Sequence, residues 1–424
     1  MTTSADHAAI FHTHRLNNGL QIVGQVMPDF SSVAISYSVQ TGARDEHNAS
    51  LAGVSHFLEH MVFKGTQTLD GHQIKQEFNK IGAELNAATS VESTVYFARV
   101  VGEYVDRALV LLSDMMVPRL DEGDFMTEKE VIINEIARSE DQPRGRASRC
   151  MMQTYFGDHP LGHIVLGSRE SIRDMQIEQM REYWRYRYVT NNMILSVAGN
   201  FDWEHLVGLA EQHCSTWQAG DSERLLTPYE PPHPSNNVMV DKKLQQQIVF
   251  LTMPMVAEKD PDRYAAALGS SVLGQPGGSR LFWKIRHKGL AESVSSSIRT
   301  MKGAGILLLS ASTIPQQASH VLNLLRAELI TLLDDGITED ELRRAKDKWI
   351  SGIVLASEST FNRMRSIAYD WEIEGRLIDI EERIERVERV TTDDVMRVLR
   401  RFPLREKQVL TALGPLSEEG LLVA

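Results

Sequence analysis

The stretch HFLEHMVFKGT, residues 56–66, places two histidines and a glutamate within five positions. Apolar residues recur through 51–62 at close to helical period, which predicts a helix over about 51–63. Because positions i and i+4 lie on one face of a helix, His56 and His60 point the same way, as two ligands of one metal ion require. Glu59 lies between them in sequence, within reach of a water bound to that ion. The pattern H-x-x-E-H is the reverse of the zinc-binding helix H-E-x-x-H.

A third ligand is needed, because two helical histidines are often only a partly buried polar face. A chance H-x-x-E-H in a chain of this length has a probability of roughly a few per cent. A later helix is predicted over 125–140, and it carries Glu128 and Glu135 about two turns apart on one face. We take Glu135 as the candidate third ligand and Glu128 as the residue that supports the ligands by hydrogen bonding.

The bulk composition narrows the class of protein. A chain of 424 residues exceeds what one hydrophobic core usually serves, so at least two domains are expected. A net charge of −12 argues against a nucleic-acid-binding protein. The two cysteines lack metal or disulfide spacing, and neither a secretory signal nor a membrane-spanning run is visible. We therefore expect a cytoplasmic protein that binds no nucleic acid and no membrane.

The two halves of the sequence share an order of elements, which predicts an α+β fold with two tandem homologous domains. In each half a helix ends in glycine, two strands and a helix follow, and an acidic glycine turn precedes another helix. This order aligns Gly82 with Gly289 and Gly123 with Gly336. The predicted domains are 1–218 and 238–424, and a linker rich in proline, serine and asparagine covers 219–237. A second H-x-x-E-H does not occur in the later half, so only the first domain is expected to hold a metal.

Several motifs together resemble the pitrilysin/insulinase family of zinc peptidases, in particular bacterial proteins similar to the mitochondrial processing peptidase. They are HFLEHMVFKGT (56–66), LNAATSVESTVYF (85–97), EKEVIINEI (128–136) and GQPGGSRLFWKIRHKGLAESV (274–294). The resemblance implies two domains, each an antiparallel sheet packed with helices, which form a clamshell around a peptide-sized chamber in a dimer. It also implies one zinc ion per chain, peptide substrates and cleavage inside the peptide chain.

The resemblance also assigns roles to individual residues. It implies that His56, His60 and Glu135 are the zinc ligands, that Glu59 is the catalytic base, and that Glu128 supports the ligands. The strand that holds Asn86 and Ala87 matches the sheet edge to which a substrate adds as a further strand. Such main-chain pairing favours unfolded peptides over folded proteins.

One position departs from the family pattern. The second domain of family members usually carries an arginine followed by a tyrosine that contacts the substrate carbonyl. Here Arg286 is a candidate substrate contact, but Glu292 holds the tyrosine position, and an ionised carboxylate cannot donate a hydrogen bond.

The prediction is a zinc endopeptidase, most simply a homodimer. The alternative is a subunit that needs a homologous partner to complete the site, or a structural subunit of a larger assembly.

Overall fold

The computed structural model describes residues 10–220, 222 and 224–422. Its strands are β1 Ile10–Arg15, β2 Gln21–Val26, β3 Ser32–Val39, β4 Glu84–Thr89, β5 Thr94–Val101, β6 Met193–Gly199, β7 Ser235–Val240, β8 Gln247–Pro254, β9 Ser293–Met301, β10 Ala304–Thr313 and β11 Val409–Gly414. Its α-helices are α1 Val54–Val62, α2 Gly71–Lys80, α3 Val105–Met115, α4 Glu122–Glu140, α5 Pro143–Phe156, α6 Arg169–Asp174, α7 Ile177–Arg187, α8 Trp203–Cys214, α9 Arg263–Gly274, α10 Pro315–Asp335, α11 Glu339–Ser357, α12 Thr360–Glu374, α13 Ile380–Glu388, α14 Thr392–Arg401 and α15 Glu418–Leu422.

The two sheets have the same strand order, which confirms the repeated α+β architecture. The first sheet runs β1-β2-β6-β3-β5-β4 and the second runs β7-β11-β8-β10-β9. Without β1, each strand of the first sheet has its counterpart at the same place in the second. Each sheet is antiparallel except for one parallel pair, β2 with β6 in the first and β7 with β11 in the second. The parallel pairs differ from the uniformly antiparallel sheets that we expected.

The chain forms two compact units, each built from three separate stretches. Among the described residues, unit 1 contains 10–137, 163–220, 222, 224–225 and 354–378, and unit 2 contains 138–162, 226–353 and 379–422. The passage from 225 to 226 falls inside the predicted linker. The segments 138–162 and 354–378, however, each belong to the unit whose main part comes from the other half of the sequence. No local sequence pattern predicts this exchange.

Each exchanged segment supplies a helix that packs on a sheet. In unit 1, Met364 and Ile367 of α12 are fully buried against strands β2, β3 and β6. Alternate residues of a strand face opposite sides of a sheet. Ala34 of β3 therefore contacts α12, while its neighbour Val33 belongs to the main core of unit 1. In unit 2, α5 packs on β8 and β11.

The repeat aligns less well at one of its two glycine pairs. Gly82 and Gly289 both have positive φ, 61° and 71°, after a helical segment and before a strand. Gly336 also has positive φ, 78°, but Gly123 lies inside the first turn of α4 and does not. In the first half the positive φ belongs to Leu120, at 49°. The alignment of Gly123 with Gly336 is thus wrong, because the turn before α4 lies earlier than the glycine.

Candidate metal centre

A buried carboxylate fixes the start of α1, the helix that carries both histidines. The residue before the helix, Gly53, has φ 90° and no side chain to cap the free backbone N–H groups. Glu46 takes that role: its Oε2 accepts from the N–H of Gly53 at 2.8 Å and its Oε1 from the N–H of Ser55 at 3.0 Å. Ser55 Oγ in turn lies 2.8 Å from the hydroxyl of Tyr183 on α7. These contacts hold α1 at its first turn.

Three side chains converge where the sequence predicts a metal ion. Nε2 of His56 and Nε2 of His60 lie 3.7 and 3.6 Å from Oε2 of Glu135. Their candidate donor atoms all lie within 4.8 Å of one another, and among the described residues this is the one group of three such side chains. Helix α1 supplies the two histidines and α4 supplies the glutamate. The third ligand predicted from 75 residues away therefore reaches the histidine pair.

The donor set fits a zinc ion. Zinc is bound by imidazole nitrogen and carboxylate oxygen at about 2.0–2.2 Å, so two ligands of a tetrahedral ion lie about 3.4 Å apart. The separations of 3.6 and 3.7 Å are within a small side-chain adjustment of that value. Three protein ligands would leave a fourth position open for water or substrate, as in catalytic rather than structural zinc sites.

Glu128, in the second turn of α4, contacts the ring of His60. Its Oε2 lies 3.0 Å from Nδ1 of His60, on the side of the ring that faces away from Glu135. Its other oxygen pairs with the ammonium of Lys64. Burial raises the pKa of Glu128, but the contacts with His60 and Lys64 outweigh it and lower that pKa overall. An ionised Glu128 fixes the orientation of the His60 ring, as hydrogen-bonded partners of metal ligands commonly do.

A stacked aromatic pair joins the two helices that carry these residues. The rings of Phe57 on α1 and Phe125 on α4 lie 4.6 Å apart and are nearly parallel, at 9°. Both side chains are fully buried. Such a pair contributes about 0.5–1.5 kcal/mol beyond the burial of its area. Phe57 follows His56 directly and Phe125 lies three residues before Glu128, so the stack joins α1 and α4 next to the cluster.

Glu59 is held by a threonine outside the histidine motif, Thr89. Thr89 Oγ1 donates to Oε2 of Glu59 at 2.6 Å. Burial raises the pKa of Glu59 above its usual value, and Glu135 raises it further, against the lowering effects of Thr89 and His60. A carboxyl group that is partly desolvated near a metal-binding pair is suited to accept and return a proton.

The two histidines are in different electrostatic surroundings. Burial, and then the neighbouring His60, lower the pKa of His56 to about 4, so its ring is neutral near pH 7. Nδ1 of His56 is buried without a hydrogen-bond partner among the described residues. Burial lowers the pKa of His60 too, but its bond with Glu128 and the nearby Glu59 and Glu135 raise it overall. This crowding of carboxylates around one imidazole is what a bound cation would relieve.

Of the candidate substrate residues, Asn86 and Ala87 belong to strand β4 of unit 1, and Arg286 belongs to unit 2. Strand β4 is the edge of its sheet, where Asn86 is exposed and the N–H of Ala87 donates to the Asn86 side chain at 2.9 Å. In unit 2, Nε of Arg286 donates to the carbonyl of Glu292 at 3.0 Å, and the carboxylate of Glu292 accepts from Gln246. The substrate roles of Asn86, Ala87 and Arg286 stay predictions.

Two further residues had weak signals in the sequence. Thr89 is two positions after Ala87, so strand alternation places it on the face of β4 that packs towards α1. Lys64 is four positions after His60 and contacts the same carboxylate, that of Glu128. Neither threonine nor lysine is a metal-binding residue type, so a search for ligands passes over both.

Among the described residues, no helix is long and apolar enough to cross a membrane.

Known proteins of one peptidase family match this chain along most of its length. A family model described as insulinase, peptidase family M16, matches residues 24–169, and one described as peptidase M16 inactive domain matches 174–348. An uncharacterized zinc protease of Rickettsia felis is 33% identical over 91% of this chain and 93% of its own.

Solved structures share the fold. A peptidase M16 inactive domain from Pseudomonas fluorescens has a TM-score of 0.89 at 20% identity, covering 96% of this chain and 98% of its own. A chain of the complex III dimer of Candida albicans has a TM-score of 0.83 at 17% identity, covering 97% of each chain.

Proposed function

Since the chain belongs to the insulinase family of peptidases, peptidase family M16, we propose that it is a zinc-dependent endopeptidase that cleaves peptides or unfolded polypeptide segments. The observation that carries the proposal is the convergence of His56, His60 and Glu135, with Glu59 on the same helix as the histidines. A purely structural metal site would use a fourth protein ligand and would not need an adjacent carboxyl group.

The residues divide the chemistry among them. His56, His60 and Glu135 would hold one zinc ion, which supplies a Lewis acid for the scissile carbonyl and an acidified water. Glu59, oriented by Thr89, accepts a proton from the attacking water. At the same time the oxygen of this water bonds to the carbonyl carbon of the substrate. Glu59 then passes this proton to the amide nitrogen as the carbon–nitrogen bond breaks, so that the amine leaves neutral. Glu128 keeps His60 in place throughout.

The substrate is proposed to add to the free edge of β4. This edge lies beside α1, because β4 packs against that helix. Pairing through main-chain groups would bind many sequences in an extended form, which favours unfolded segments. A homodimer in the cytoplasm is the simplest form of such an enzyme, and both points rest on the sequence alone.

A second candidate function is that of a subunit that depends on a homologous partner. Two observations favour it. Glu292 stands where the family usually has a tyrosine, and its carboxylate is occupied by Gln246. The fold is also shared with a chain of the Candida albicans complex III dimer. In this case the chain would bind zinc, yet it would cleave peptides only after a homologous subunit had been added.

The test combines metal analysis with digestion of a peptide library. We expect the purified chain to cleave peptides, to lose activity with a chelator and to regain it with zinc. Glu59→Gln should retain zinc and abolish cleavage, whereas Glu135→Ala should lose zinc. Glu130→Gln, an exposed change on α4, is the matched control. Normal cleavage by Glu59→Gln would refute the mechanism, and full zinc occupancy of Glu135→Ala would remove Glu135 from the ligands. Size measurement of the active species separates the homodimer from the dependent subunit.

A further inference from the structure

Unit 1 contains a cavity that shares no residue with the metal cluster. Its volume is about 390 Å³, and it lies between the C-terminal end of α3, the segment 66–68 after α1, the end of α7 and the residues around the end of α8. Its walls include two indoles, one phenol and the side chains of Asp114, Arg185 and His213. A cavity of this size holds a small organic molecule.

The two indoles are fixed in the walls. Nε1 of Trp184 donates to the carbonyl of Met116 at 3.2 Å, so its polar atom is already satisfied. The ring of Trp217 packs against the buried ring of Tyr37, with centroids 5.3 Å apart. Both tryptophans are half-buried. The cavity therefore offers two rigid aromatic surfaces, which attract both apolar groups and cations.

The carboxylate of Asp114 is the unusual element of this lining. It is half-buried, and it makes no hydrogen bond or ion pair with any side chain among the described residues. Burial raises the pKa of Asp114, while the more distant charges of His213 and Arg107 lower it. Arg107 is itself paired with Glu77, so it is not free to neutralise Asp114. A partly desolvated carboxylate without a partner carries a free-energy cost that a bound cation would offset.

The remaining charges of the cavity do not favour an anion. Arg185 is exposed to solvent, so an anion bound to it would gain little. His213 interacts electrostatically with Asp114. An anion bound at His213 would therefore be repelled by the Asp114 carboxylate. The other polar lining residues are uncharged threonines, glutamines and a serine. The fixed charge that lies deepest in this lining is negative.

We propose that this cavity is a binding site for a primary ammonium group attached to an aromatic or apolar body, with the ammonium at Asp114 and the body between Trp184 and Trp217. The same chemistry occurs in a free aromatic amine and in the N-terminal residue of a peptide. The site requires neither zinc nor cleavage, so it stands or falls independently of the proposed peptidase activity.

Calorimetry and tryptophan fluorescence on the full chain test the site with matched probes. Phenethylamine is the cationic probe, and phenethyl alcohol and phenylacetate have a similar body with no charge or a negative charge. Phenylalanyl-glycine and its N-acetylated form distinguish a peptide N-terminus from a free amine. We expect phenethylamine to bind at least about tenfold more tightly than either analogue, and Asp114→Asn to remove this preference.

The control is Asp106→Asn, which makes the same charge change on α3 at a carboxylate that is already paired with His205. It should leave binding unchanged. Binding of phenylalanyl-glycine but not its acetylated form would support the site and identify a peptide N-terminus as the source. Binding of phenethylamine alone would support it with a free amine as the source. Equal binding of amine and alcohol, equal binding to Asp114→Asn, or no binding of any amine at millimolar concentration would overturn the proposal.

Discussion

The hydroxyl of Thr89, at the end of the edge strand β4, donates a 2.6 Å hydrogen bond to the carboxylate of Glu59 on α1. The bond connects the strand proposed to receive substrate with the residue proposed to move the proton. A hydrogen bond to a charged group contributes about 1.5–3 kcal/mol. It also restricts Glu59 to one orientation, and catalysis depends strongly on such positioning.

Thr89→Val should therefore lower kcat by about ten- to a hundredfold, since valine has the same shape but no hydroxyl. Zinc content and KM should stay close to those of the unchanged protein, because the Thr89 side chain bonds to Glu59 and Thr94 and to none of the three proposed zinc ligands. Thr89→Ser keeps the donor and should recover most of the activity. Steady-state kinetics with zinc analysis would decide the matter. Equal kcat values for the valine and serine variants would contradict the positioning role.

Glu128→Gln should weaken zinc binding by about 10–100-fold, the usual effect of removing a hydrogen-bond partner of a metal ligand. The amide can no longer supply the negative charge that His60 and Lys64 share at this position. Competition with a chromophoric chelator measures the affinity. Glu130→Gln, two positions away on the exposed side of α4, should bind zinc normally. A normal affinity for both variants would show that Glu128 does not support the site.

Gly53→Ala should destabilise the fold by at least about 2 kcal/mol. Gly53 has φ 90°, and a Cβ atom there would lie 2.8 Å from the carbonyl oxygen of Leu166. The backbone shift needed to relieve this contact would displace the N–H that Glu46 binds, and with it the first turn of α1. Chemical denaturation measures the loss.

The matched control is Gly208→Ala in α8, where a Cβ would meet nothing within 4 Å. Alanine has the higher helix propensity, so this variant should be neutral or more stable by about 1 kcal/mol. A small and equal effect of both substitutions would mean that the turn before α1 tolerates a side chain.

Ala87→Pro should raise KM for peptides by about five- to tenfold, because proline removes one N–H from the edge strand that is proposed to pair with substrate. Zinc content should not change. Ala87→Gly keeps the N–H and is the control for loss of the methyl group. Peptide kinetics with both variants measure the effect, and an unchanged KM for the proline variant would argue against substrate addition at this edge.

The elements that could be predicted from the sequence are those whose signals are local. The spacing of His56 and His60 predicts a shared helical face because helical geometry is the same everywhere. The cap of α2 is equally local, since the carboxylate of Asp70 accepts from the N–H of Gln73 at 2.8 Å. A seven-residue spacing on α4 likewise brings Glu128 and Glu135 to the same imidazole. In each case the geometry follows from the residues of a single helix.

Features that depend on tertiary packing could not be predicted. The break between α6 and α7 is one of them: the backbone becomes extended at Met175 and Gln176, and no glycine or proline marks this position. An apolar helix face also says nothing about which sheet it will cover, so α12 was not assigned to unit 1. The hydrogen bond between Thr89 and Glu59 could not be predicted for the same reason, since Thr89 is thirty residues away and belongs to no ligand motif.

The position of α12 in unit 1 bears on how the protein is made. This helix covers one face of the first sheet through Met364 and Ile367, although every strand of that sheet precedes residue 200. During translation the ribosome must add more than 160 residues after β6 before α12 has been synthesised. Until then, apolar positions such as Val23 and Ile194 lack the helix that buries them. A chain that ended in the 219–237 segment would therefore expose these apolar positions permanently.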